Sequence, residues 1–125
     1  MDMLTPVSLA FIGDAVHTLY VRERAVEAER PSGTLHTAAA KRVNASAQSR
    51  VYDELVARGV FTAEETEIAR RAKNAHLHSR AKSASVGDYH KATALEAVIG
   101  YVHLKGDVSR EKQLLELCYS VNETL

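Results

Sequence analysis

The chain has 125 residues, 46% of them apolar and 26% charged, with 16 Lys and Arg against 16 Asp and Glu. That length is enough for one hydrophobic core, and residues 1–125 are read as a single domain. No apolar run reaches membrane-spanning length, the one cysteine, Cys118, rules out an internal disulfide, and "MDMLTP" lacks the basic-then-apolar pattern of a leader, so a cytoplasmic protein is expected.

Helical spacing dominates and no period-two strand occurs, which predicts an all-α fold of five to seven helices. Thr5-Pro6 opens the first helix as N-cap and first helical residue, and Pro31-Ser32-Gly33 ends it after about Glu29. On a helical wheel Leu9, Ile12, Val16, Leu19 and Tyr20 share one arc, with Phe11, Ala15 and Val21 filling much of the rest, so this helix is expected to be largely enclosed. A second helical region runs from Leu35 to Arg58 with a bend near Asn44, and stops at Gly59. Thr62 and Glu65 form a capping box that opens a helix reaching about Asn74 or His76. The stretch "HSRAKSASVGD" has loop composition; helical pattern returns from about Tyr89 to Leu104, and again from Ser109 to Val121, where Cys118 reads as a buried small hydrophobe.

Two carboxylates stand out. Asp14 lies among apolar neighbours beside Gly13, a poor helix former whose presence suggests a close approach to the backbone at that turn. A buried carboxylate needs a partner, a metal or a proton, and pairing with an arginine is the plain structural alternative. In the later helix Leu95, Val98, Ile99 and Val102 form the core stripe, with Glu96 at its border in a row with Thr93, Gly100 and His103. Packed face to face, the two helices would converge Asp14 and Glu96 on one hard cation; Mg²⁺ needs only one or two protein carboxylates when phosphates complete its shell.

The balanced charge hides a segregation. No Asp or Glu occurs from Ile68 to Gly87, while Arg70, Arg71, Lys73, Asn74, His76, His78, Ser79, Arg80 and Lys82 crowd there; a second acid-free interval, Arg30 to Tyr52, carries Lys41, Arg42 and Arg50. Such a segregated basic stretch suits either a polyanion bound on one face or a solvated helix end running into a loop. As a nucleic-acid surface, cations and small polar groups without stacking aromatics would fit phosphates and 2′-hydroxyls across the minor groove of an RNA duplex better than single-strand stacking. Lys73 and Asn74, at a helix end, are expected nearest the reacting phosphate. His76 and His78 lack a third metal ligand nearby and read as solvated.

"LAFIGDAV" and "ALEAVIGYVHLKG" resemble the two acidic motifs of the ribonuclease III family, in the same order and at the same distance. "RRAKNAH" and "SASVGDYHKATALEAVIGY", with no double-stranded-RNA-binding domain following, resemble its short Mini-III subgroup. The resemblance implies a homodimeric, Mg²⁺-dependent endoribonuclease of double-stranded RNA, maturing precursor large-subunit ribosomal RNA, with a ribosomal protein as a candidate helper. It assigns Asp14 and Glu96 as catalytic metal ligands; the residues themselves add Thr93 and His17 in support and set Arg70, Arg71, Lys73, Asn74, His76, Arg80 and Lys82 toward RNA. Full-length family members carry further acids where this chain has Val7, Ala10 and Thr93. That loss is the basis of the rival reading, a non-catalytic helical RNA- or ribosome-binding module. A histidine–aspartate phosphohydrolase is a weaker rival, since no adjacent His-Asp pair occurs, and a scaffold dimer is a third.

Overall fold

A computed structural model describes residues 4–75 and 85–125. Among the described residues the chain forms six α-helices, α1 (Pro6–Glu27), α2 (Leu35–Val43), α3 (Ala45–Ala57), α4 (Ala63–Lys73), α5 (Val86–Lys105) and α6 (Val108–Thr124), with one 3₁₀ turn, Ser32–Thr34. The all-α expectation holds. None of these helices is long and apolar enough to cross a membrane.

Side-chain caps fix where the helices begin, each satisfying an N–H that the first turn leaves without a helical partner. Thr5 accepts from Ser8 N, Ser85 from Asp88 N and Asp107 from Arg110 N, which starts α5 and α6 slightly earlier than hydrophobic spacing suggests. The Thr62–Glu65 capping box is complete in both directions. Asn44 does more than bend the second region. It ends α2 in extended conformation and caps α3, its Oδ1 accepting from Ala47 N at 2.8 Å, so one expected helix is two. Gly106 ends α5 at a φ of 81°, a left-handed conformation that favours glycine.

Helix α5 is the axle of the bundle, packing against α1, α3, α4 and α6. Its Leu95, Val98, Ile99 and Val102 are buried together with Leu9, Val51, Leu55, Leu114 and Val121. Fully burying side chains of this size contributes about 1.5–3 kcal/mol each before entropy opposes it. Cys118 is buried in the same core, where desolvation pushes its thiol up to about 12.

The enclosure expected for α1 is overturned. Its buried line is Leu9, Gly13, His17 and Val21, together with Ala10 and Ala25, while Phe11 is 78% and Leu19 59% exposed. Val16 and Tyr20 pack at the core's edge. The cause is glycine on both sides of the crossing with α5. A Cβ at Gly13 would stand 1.7 Å from the carbonyl oxygen of Glu96, and one at Gly100 would stand 2.0 Å from that of Leu9. The two backbones meet there, and Phe11 and Leu19 are turned outward.

Candidate active site

The close crossing places Asp14 and Glu96 on the wall of one cleft of about 660 Å³. Asp14 is exposed; Glu96 is partly buried. Their carboxyls are hydrogen-bonded to each other. Burial first, and then the Asp14 carboxylate beside it, push Glu96 up to about 9, with Gln48 acting in the opposite sense. Near neutrality Glu96 therefore keeps its proton and donates it to Asp14, since two bare carboxylates in contact would repel.

Helix α3 supplies the third wall. Gln48, only 2% exposed, sets its side-chain nitrogen 3.1 Å from His17 Nδ1 and 3.5 Å from Glu96 Oε2. His17, 3% exposed, is driven down to about 4 by burial, against the pull of Asp14, so it is neutral at pH 7. Thr93 is buried at the cleft wall and donates its hydroxyl proton to Tyr89 O at 2.8 Å, leaving it an acceptor there. Asn44 and Ser46 complete this side.

The cleft also answers where the missing acids would stand. Val7, Ala10 and Thr93 all line it, so the site has two carboxylates and apolar or hydroxyl groups in place of the others. Among the described residues no group of three or more His, Cys, Asp or Glu could hold a metal ion. What exists is a pair of carboxyls sharing a proton, a donor set of hard oxygens that suits a small divalent cation with water and phosphate completing its shell.

The described residues of the cationic stretch lie elsewhere. Arg70 pairs with Glu67 at 2.7 Å, Arg71 is exposed, Lys73 lies over the Tyr52 ring with Nζ 5.9 Å from its centre, and Asn74 caps α4 with its backbone N–H. None of the four lines the cleft; α4 presents them outside its walls. His76, His78, Ser79, Arg80 and Lys82 lie outside the described residues. Sequence reasoning missed Gln48, Asn44 and Ser46. All three fall in the second acid-free interval, where attention to the cations hid a polar residue at every second position.

Residues 7–107 match the ribonuclease III domain family. A Mini-ribonuclease 3 of Streptococcus pneumoniae is 34% identical over 119 residues, covering 94% of this chain and 93% of its own. Another, from a Thermoanaerobacter species, is 40% identical over 125 residues, covering 96% and 84%. A crystal structure of a Fusobacterium nucleatum protein has a TM-score of 0.83 at 30% identity, covering 94% of this chain and 93% of that one. The helical frame is that of a ribonuclease III domain. The chain belongs to the ribonuclease III family of nucleases, in its Mini-ribonuclease 3 branch.

Proposed function

We propose that the chain is a Mg²⁺-dependent endoribonuclease that cuts double-stranded RNA as a homodimer, acting in the cytoplasm on precursor large-subunit ribosomal RNA, with a ribosomal protein as candidate helper. The observation that carries this reading is the hydrogen-bonded pair of Asp14 and Glu96 at the wall of an open cleft. Asp14, from the solvent side, and Glu96, once its proton leaves, would hold one Mg²⁺. When bound, the ion neutralises phosphate charge and makes a bound water more acidic. Thr93 offers a water an acceptor but no charge. His17 and Gln48 keep the inner side of Glu96 polar without adding a cation.

Arg70, Arg71, Lys73 and Asn74, with His76, Arg80 and Lys82, are proposed to grip duplex phosphates beyond the cleft. The dimer is supported by an apolar face lined by Leu4, Val7, Phe11 and Ile12 with Leu104 of α5. Phe11 and Val7 belong to both this face and the cleft, so a second copy seated there would border the site and set two cleavage centres along one duplex.

One observation favours the rival, a binding module without catalysis: Val7, Ala10 and Thr93 stand in the cleft where longer relatives carry acids. Cleavage of a long RNA duplex with Mg²⁺ decides. The wild type should cut, while Asp14→Asn and Glu96→Gln should each lose at least about a thousandfold, several kcal/mol of transition-state stabilisation. Equal, negligible activity in all three would favour the binding module.

A further inference from the structure

The site's acids lie on α1 and α5, yet the side chain bonded to Glu96 from within comes from neither helix. Gln48 reaches in from α3, and its amide is buried between His17, three residues after Asp14 on α1, and Glu96 on α5. The nitrogen faces both neighbours. A primary amide carries two N–H groups, enough to donate one to His17 Nδ1 and one to Glu96 Oε2. Donation to Nδ1 makes that ring nitrogen an acceptor and leaves the imidazole proton on Nε2. The ring in turn holds the amide with its NH₂ toward Glu96, since the amide oxygen would meet the Nδ1 lone pair. A histidine orients an amide, and the amide orients a carboxylate.

We infer that Gln48 is a positioning residue for divalent-cation binding: it holds Oε2 of Glu96 by an N–H bond, which leaves the other oxygen of that carboxylate to Asp14 and the cation. The inference rests on the metal-site reading of Asp14 and Glu96. Outer partners of this type orient ligands and change metal affinity by about 10–100-fold when removed. The Gln48 nitrogen stands 3.1 Å from His17 Nδ1 and 3.5 Å from Glu96 Oε2, within reach of both.

The test is Mn²⁺ titration of the full-length protein without RNA, followed by electron paramagnetic resonance of the free ion, on wild type, Asp14→Asn and Gln48→Met. Methionine keeps the size and removes both donors. Gln48→Met is expected to weaken Mn²⁺ binding about tenfold while the melting temperature of the metal-free protein stays within a few degrees, a split that a merely structural role would not give. An unchanged Mn²⁺ affinity in Gln48→Met, with Asp14→Asn strongly weakened, overturns the role of Gln48 and leaves the metal site standing. Wild-type protein that holds no Mn²⁺ overturns both. Should Gln48→Met not fold, the wild type decides by nuclear magnetic resonance. The Gln48 side-chain amide protons are expected to shift on Mg²⁺ addition in step with saturation, and signals that ignore the ion refute the inference.

Discussion

The α-carbon of Gly13 faces the main-chain carbonyl of Glu96 so closely that a methyl group there would fall 1.7 Å from the oxygen. Gly100 repeats the relationship toward Leu9 at 2.0 Å. Both obstacles are backbone, which cannot swing aside as a side chain can. Overpacking in cores costs about 1–3 kcal/mol, and Gly13→Ala or Gly100→Ala should exceed that range. Urea unfolding checks it; a loss below about 1 kcal/mol would mean the helices separate cheaply.

The metal-free protein is expected to weaken toward alkaline pH. Burial and Asp14 raise Glu96 from its ordinary 4.5 to about 9. A carboxyl raised in the folded state contributes stability that is complete below its unfolded value and is lost as pH rises through the folded one. Thermal melts in a chelator should fall across this window, Mg²⁺ should restore them more at about pH 9 than at about pH 6, and Glu96→Gln should flatten both trends.

Acid acts on different groups. Glu65 is buried, which opposes its ionisation, yet its bonds from Arg110, at 2.6 and 2.9 Å, and from Thr62 N bring it below the usual carboxylate range. Its contribution is present above the unfolded value and disappears as pH falls through the lower folded one. His17, buried neutral, adds a loss between its ordinary 6.5 and about 4. Arg110→Ala, which strands a buried carboxylate, should cost about 3–5 kcal/mol near neutrality and less in acid, as chemical denaturation at two pH values will show.

Phe11→Asp should separate the proposed dimer. Its ring is 78% exposed in one chain, so the exchange should cost the fold no more than about 0.5 kcal/mol. Sedimentation should show a folded monomer with impaired duplex cleavage; an unchanged sedimentation coefficient would place the interface elsewhere.

RNA binding is expected to be weak and steeply dependent on salt, because phosphate contacts release counterions. With Asp14→Asn as a non-cleaving background, the combined Arg71→Ala and Lys73→Ala exchange should reduce the log–log salt slope by about 1 for each cation removed. An unaltered slope would move the RNA surface away from α4.

Much of this was legible in the residues. Thr5 and Thr62 announce helix starts through local chemistry, and a glycine inside an apolar helix implied that something comes near it. That something is the carbonyl of Glu96. The buried face of α1 was not legible, because Phe11, Ile12, Val16 and Leu19 surround its Leu9 and Val21 with further apolar residues and a wheel cannot choose among them. The choice lies with small residues on α5, a long-range fact. Gln48 escaped for a similar reason: a single glutamine has no period or spacing, and its place is set by three helices meeting. Asn44 gave a local sign of interruption, but whether a cap bends a helix or divides it depends on what each half packs against.

Glu96 rides on the helix that touches α1, α3, α4 and α6, so the inner acid of the pair is seated by nearly the whole molecule. Such a seat has no private hinge: loosening it means melting the bundle. The rim is different, since Val7, Phe11 and Ser46 border the cleft from exposed positions. Exchanging them leaves the axle untouched. A designer wishing to reshape the mouth of the cleft would therefore begin at Ser46, since Val7 and Phe11 also belong to the apolar face beside it.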